Sequence, residues 1–204
     1  MSGWQGVPLR RVPTQEGSSV KVIRALNAAD QIVRQDGKNA LSLPHVAQRA
    51  GVSVGTLYQY LPDRASLVAA LTWHHQQRLE KLLSQTVADA QLHQPSVNLM
   101  GRLIDAAIRI CQDDAPIRAL RCPLESAALT TQRLEHRARM VAKGEELLKI
   151  LRTPPDQAEA VATVAFTAAE TVIQEALAAP AVKRVRLLKE LDTLLRRYLP
   201  SPVV

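Results

Sequence analysis

Residues 46–64 read VAQRAGVSVGTLYQYLPDR, and Gly51 and Gly55 stand inside a run whose apolar residues otherwise keep helical spacing. Each glycine in a helix interior costs about 1 kcal/mol relative to alanine, so the run is better divided than continuous. Val46, Ala47 and Ala50 mark the face of one short helix that stops at Gly51. Val54 to Leu61 supply a second, whose Leu57 and Tyr60 share a face. Gly51 permits a left-handed turn, Ser53 caps the new helix, and Gly55 leaves its surface clear for a close approach. Upstream, Ser42 offers another N-cap, and Pro44 fits a first turn, where its missing N–H is not needed.

Two short helices joined by a tight turn fit a helix-turn-helix, whose second helix enters the DNA major groove. Val46, Ala50, Val52, Leu57 and Tyr60 would form its small interior, with Ala47 where the helices cross. The same pattern also occurs in ordinary helical bundles, so spacing alone leaves both readings open.

The rest of the chain extends the helical pattern. With 47% apolar but only 3% aromatic residues, it can bury a core and favours packed helices over sheets. Val20, Ile23, Ala25 or Leu26, Ala29, Ile32 and Val33 predict a first helix from Ser19 to the stop at Asp36–Gly37. After Pro62–Asp63, the spacing from Leu67 to Val87 predicts a long helix. Further helices are expected over Pro95–Gln112, Pro116–Ala128, Thr131–Leu151, Asp156–Ala178 and Val182–Leu199. The fold class is therefore all-α, with about nine helices and no strand.

Charge points to an anionic partner. The chain carries +7 overall, and residues 1–72 hold eight Lys/Arg against four acids. Nothing in the sequence reads as an export signal, and the apolar stretch 158–179 is interrupted by Glu159, Glu170 and Glu175, so a cytoplasmic protein without a membrane partner is expected. Cys111 and Cys122 imply no disulfide framework.

The run LSLPHVAQRAGVSVGTLYQYLPDRASLVAAL, preceded by a helix ending at DG, resembles the DNA-binding domain of the TetR family of bacterial transcriptional regulators. The family hallmark is AxxAGVSxGTLYxYxxxRxxL. Leu61 stands where the family often has phenylalanine, which keeps an apolar plug, and Arg64 where lysine is common, which keeps the charge. Residues 1–17, without apolar periodicity around Arg10 and Arg11, are expected to be a flexible basic arm, and the resemblance implies a helix-turn-helix domain over 18–65 and an effector-binding and dimerisation domain over 66–204.

It also implies site residues. Ser42 and Tyr60 resemble phosphate contacts, and Arg64 can neutralise a phosphate. Ser53, Val54, Gly55, Thr56, Tyr58 and Gln59 fall on the DNA-facing side of the recognition helix. Among them Gln59 suits adenine, Thr56 or Val54 a thymine methyl, and Tyr58 base or phosphate. Arg10 and Arg11 either reach the minor groove or flanking phosphates, or are simply solvated.

The family pairs through a four-helix bundle, which implies a homodimer using Val161, Ala165, Ala169, Val172, Leu187, Leu191, Leu194 and Tyr198. Such stripes also serve as ordinary core. A small-molecule effector site is implied as well, with Trp73, Arg102, Arg109, Cys111, Arg121, Met140, Phe166, Thr167 and Glu170 as candidates. The scarcity of aromatics argues against a stacking cage for cationic dyes.

Competing functions have less in the sequence to support them. HExxH and a Gly-rich phosphate loop are missing, so no enzyme and no cofactor is expected. A metal sensor built from His74, His75, His93, His136 and the cysteines, a Cys111–Cys122 thiol switch, and a DNA-binding scaffold without effector are the alternatives.

Overall fold

A computed structural model describes residues 9–93, 98–113 and 127–200. The first helix, α1 (Glu16–Asp36), buries Val22, Ala25, Leu26, Ala29, Ile32 and Val33 along one stripe. Val20 and Ile23, expected on that face, are exposed. The helical repeat carries the stripe back from Leu26 to Val22 and turns Val20 and Ile23 past its edge. The helix also begins inside the segment expected to be a flexible arm. It ends at Gly37, whose φ of 81° is one that side-chain-bearing residues rarely adopt.

A 3-10 turn over Lys38–Ala40 leads to α2 (Leu43–Ala50) and α3 (Val54–Tyr60). The next helix, α4 (Arg64–Leu92), opens with a reciprocal cap. Ser66 N–H donates to Asp63 Oδ1 at 2.7 Å, and Asp63 N–H donates to Ser66 Oγ at 3.2 Å. Three short elements thereby meet a long one without stranding backbone donors.

The chain divides into two compact units. Among the described residues, the first comprises 9–76 and 127–132. Its core joins the α1 stripe to Leu41, Val46, Ala47, Leu57, Leu61, Leu67, Leu71 and Trp73. Gln132 reaches into it, donating through Nε2 to Gln76 Oε1 at 3.1 Å.

The second unit holds, among the described residues, 77–93, 98–113 and 133–200. To the remainder of α4 it adds α5 (Leu99–Asp113), α6 (Ala127–Ile150) from Arg133 onward, α7 (Pro155–Ala178) and α8 (Ala181–Tyr198). Leu83, Ile104, Leu147, Leu148, Ile173, Leu188 and Leu191 lie at its centre. The last carbonyls of α7 are satisfied by Arg184, which donates to Ala176 and Ala179 oxygens, both at 3.3 Å. At Gly144 α6 passes close to α7, where an added Cβ would meet the Ala162 methyl in ordinary contact at 3.4 Å.

The fold is all-α, with eight α-helices and no strand among the described residues. The helix expected over Pro116–Ala128 lies almost wholly outside them. Helix α7 is long and apolar enough to cross a membrane, with mean hydropathy 1.2 over its most apolar 18 residues, and only 22% of that stretch is buried. Its neighbour α8 packs along one side of it, and Glu159, Glu170 and Glu175 interrupt the rest.

Candidate nucleic-acid interface

Capping and one left-handed residue set the local geometry of the helix pair. Ser42 Oγ accepts from His45 N–H at 3.4 Å at the head of α2, and Pro44 follows in the first turn. Gly51 closes that helix with φ 63° and ψ 40°. Ser53 then caps α3, accepting from Thr56 N–H at 3.1 Å, while the two hydroxyls lie 2.6 Å apart. Such a cap contributes about 1 kcal/mol and aims the helix.

Every side chain of α3 then has a direction. Leu57 and Tyr60 turn into the core; Val54, Gly55, Tyr58 and Gln59 face solvent; Thr56 is half-buried beside its cap. No atom lies within 4 Å of a Cβ placed at Gly55, so that surface is open. The result is a seven-residue helix, about 10 Å long, with one face anchored and the other free.

Two expected phosphate contacts, Tyr60 and Arg64, also have structural surroundings. Tyr60 is 8% exposed against 42% for Tyr58, so its ring belongs to the core. Arg64 is exposed but points two donors at its own backbone: Nε bonds the Leu41 carbonyl at 3.2 Å and Nη2 the Lys38 carbonyl at 3.0 Å. Spacing along one helix does not show what another segment offers its side chains.

Ion pairs select which basic residues of the first unit remain available. Arg34 is held by Asp30 at 2.8 Å and Arg49 by Asp36 at 3.0 Å, with Gln35 also on Arg49. Among the described residues Arg10, Arg11, Lys21, Arg24 and Lys38 make no ion pair.

The other candidates fall in less uniform surroundings. Trp73 belongs to the core of the first unit, and Cys111 and Met140 to that of the second. Arg102 and Arg109 are exposed rather than interior, because the buried face of α5 runs through Met100, Ile104 and Cys111. Arg121 lies outside the described residues, as does Cys122. Thr167 and Glu170 do come together, on Arg137, a residue that no motif in the sequence singles out. Arg137 Nη2 donates to Thr167 Oγ1 at 2.6 Å, and its Nη1 lies 3.9 Å from Glu170. Arg137 also edges a groove of about 340 Å³ between α6 and α7, walled by Leu134, Val141, Glu145, Glu159 and Thr163.

A second polar cluster, also unanticipated, sits between α4 and α6 in the same unit. His136 Nδ1 donates to Glu80 Oε1 at 2.7 Å, and Arg139 donates to both Glu80 oxygens at 3.0–3.1 Å. Burial pushes the Glu80 carboxyl up, and the bonds from His136 and Arg139 more than reverse it, leaving its pKa below the ordinary value. The Phe166 ring meets His136 edge-on, with centroids 6.2 Å apart.

Among the expected pairing residues, Ala165 and Leu191 are buried in their own unit, Leu191 to 1% exposure, and are therefore core. Val161, Ala169, Val172 and Leu187 are half-buried, and Leu194 and Tyr198 are exposed. Val164, Val182 and Val185, outside the expected stripe, join the exposed apolar set. Two packed helices shield only the residues between them, which periodicity along either one does not reveal.

A capped two-helix motif with a bare second helix, seated on a third helix, has the geometry of a helix-turn-helix. Residues 25–71 match the family described as "Bacterial regulatory proteins, tetR family". Solved structures share the fold over most of its length. One, from Mesorhizobium loti and assigned to the TetR-family transcriptional regulators, superposes with a TM-score of 0.70 at 16% identity, covering 90% of this chain and 97% of its own. The SmeT–triclosan complex gives 0.63 at 15% identity, covering 89% and 92%. The multidrug binding protein EbrR complexed with imidazole gives 0.55 at 22% identity, covering 89% and 96%. No curated protein matches the chain.

Proposed function

We propose that this chain is a homodimeric transcriptional repressor that binds operator DNA through α3 and leaves it when a small molecule occupies the second unit. The observation that carries the reading is the one-sided burial of α3. Leu57 and Tyr60 hold it to the core while Val54, Gly55, Tyr58 and Gln59 stand free above a basic unit. That surface matches the major groove in size and chemistry: amide for adenine, methyls for thymine, no cation for guanine. Ser42, Ser53 and Thr56 place backbone and hydroxyl donors at the helix starts, where phosphates are favoured.

Pairing follows from the apolar surface that the second unit leaves open. Val164, Leu194 and Tyr198 stand exposed on α7 and α8, flanked by half-buried Val161, Val172 and Leu187. A second copy covers this surface and sets two recognition helices about 34–36 Å apart, the spacing of successive half-sites. With α7 covered by protein instead of lipid, the repressor works in the cytoplasm.

The effector is a small molecule, as for the SmeT and EbrR complexes, with Arg137, Thr167 and Glu170 as polar anchors beside Phe166. It acts by binding one spacing of the recognition helices better than the other. Anisotropy of a labelled duplex from upstream of its own gene, with and without triclosan, tests the reading. Binding lost on adding ligand supports it; no binding to any duplex at low salt would remove it.

A further inference from the structure

The segment before α1 is not loose where it passes the recognition helix. Arg10 N–H donates to the carbonyl of Tyr60, the last residue of α3, at 2.9 Å. On either side of that bond Leu9 packs against the core of the first unit and Pro13 is buried. A backbone bond plus burial on both flanks removes most of the chain entropy that a free arm would have to lose on meeting a ligand.

Between those anchors Arg10 and Arg11 are exposed, and among the described residues neither guanidinium has an ion pair or hydrogen bond. The nearby acids are committed elsewhere. Asp30 holds Arg34, Asp36 holds Arg49, and Asp63 caps α4, while Glu16 heads α1, where the helix end favours a carboxylate. Two adjacent cations are thus held in place with no internal counter-charge, whereas Arg34, Arg49 and Arg64 all have internal partners.

We infer that Arg10 and Arg11 form a second DNA contact, seated on backbone phosphates beside the half-site that α3 occupies. The inference rests on α3 being the recognition helix. Its N-terminal residues meet base edges, so its other end, where Arg10 is tied, faces the groove wall. That wall is the sugar-phosphate backbone, and the planar guanidinium fork suits a phosphate better than it suits any base available there. The arm therefore adds affinity and salt dependence and leaves base choice to Val54, Thr56, Tyr58 and Gln59.

The test compares full-length wild type with the Arg10→Gln/Arg11→Gln double variant on two labelled duplexes, the region upstream of its own gene and a scrambled sequence of equal length. Anisotropy titrations over a series of salt concentrations give the slope of log K against log salt. The expected result is a slope shallower by about 1.8 per bound chain, about 0.9 for each phosphate no longer neutralised, on both duplexes. The ranking of single-base operator variants should not change, nor the thermal midpoint. An unchanged slope overturns the proposal, and so does an altered flanking A·T preference, which would mean that the arm reads the minor groove. Arg10→Pro, which also removes the N–H held by Tyr60, should weaken binding further than Arg10→Gln; equal loss would show that the tie has no role. Failure of wild type to bind either duplex would instead remove the recognition-helix reading itself.

Discussion

Arg64 Nε donates to the Leu41 carbonyl at 3.2 Å, tying the head of α4 to the residue before the α2 cap. The companion bond from Nη2 to Lys38 makes Arg64 a clamp on the loop that presents the helix pair. Arg64→Ala should lower unfolding free energy by about 1 kcal/mol, a modest figure because the side chain is partly solvated. Arg64→Lys keeps the charge but not the planar fork, so it should lose similar stability while the salt dependence of DNA binding stays near wild type. Urea midpoints and salt titrations on the two variants separate the clamp from the phosphate contact.

Gly51 holds the turn at φ 63°. An alanine Cβ there would also sit 2.9 Å from Arg24 Nη2, but that flexible tip can move aside. The backbone cannot, and Gly51→Ala should cost about 1–2 kcal/mol. Chemical denaturation measures it. A cost near zero would mean that the turn relaxes.

Gln59 is exposed on the free face of α3. Replacing it with alanine should relax preference at one base pair of each half-site by about 1–3 kcal/mol and leave the salt slope alone. Competition among operator variants reports this, and unchanged preference would exclude Gln59 from base readout.

The Glu80 pKa is depressed because His136 and Arg139 together outweigh its desolvation. A carboxylate so held adds stability that is complete above its unfolded value and is lost as pH falls through the lower folded value. Wild type should therefore lose stability on acidification partly through this residue. Glu80→Gln should be less stable near neutrality by about 1–3 kcal/mol and show a flatter acid limb. Urea midpoints across the acid range decide the matter.

Leu194 and Leu191 lie on the same helix with opposite exposure, 46% against 1%. Leu194→Asp should convert a dimer to a monomer in sedimentation without unfolding it. Leu191→Ala should instead destabilise the fold by about 2–5 kcal/mol. A Leu194→Asp protein that sediments unchanged would move the pairing surface elsewhere.

Local chemistry was readable from the residues themselves. Ser42 and Ser53 as caps, Gly51 as the left-handed turn and Leu57 as an anchor follow from interactions within four residues, where spacing dictates geometry. The helical class follows in the same way from periodicity. What the residues alone left open depends on distant partners. Arg64 meeting Lys38, Arg137 reaching Thr167 and His136 reaching Glu80 join segments 26, 30 and 56 positions apart, and Tyr60 turns inward beside an outward Tyr58 on one helix. Helical periodicity names a stripe as apolar but not what covers it, so Leu191 as core and Leu194 as surface were decided only when α8 packed against α5 and α7. The sequence by itself determined an all-α chain with a capped helix pair for DNA. Tertiary structure decided which charges and apolar residues that chain uses on itself, because burial and pairing depend on the neighbours that folding supplies.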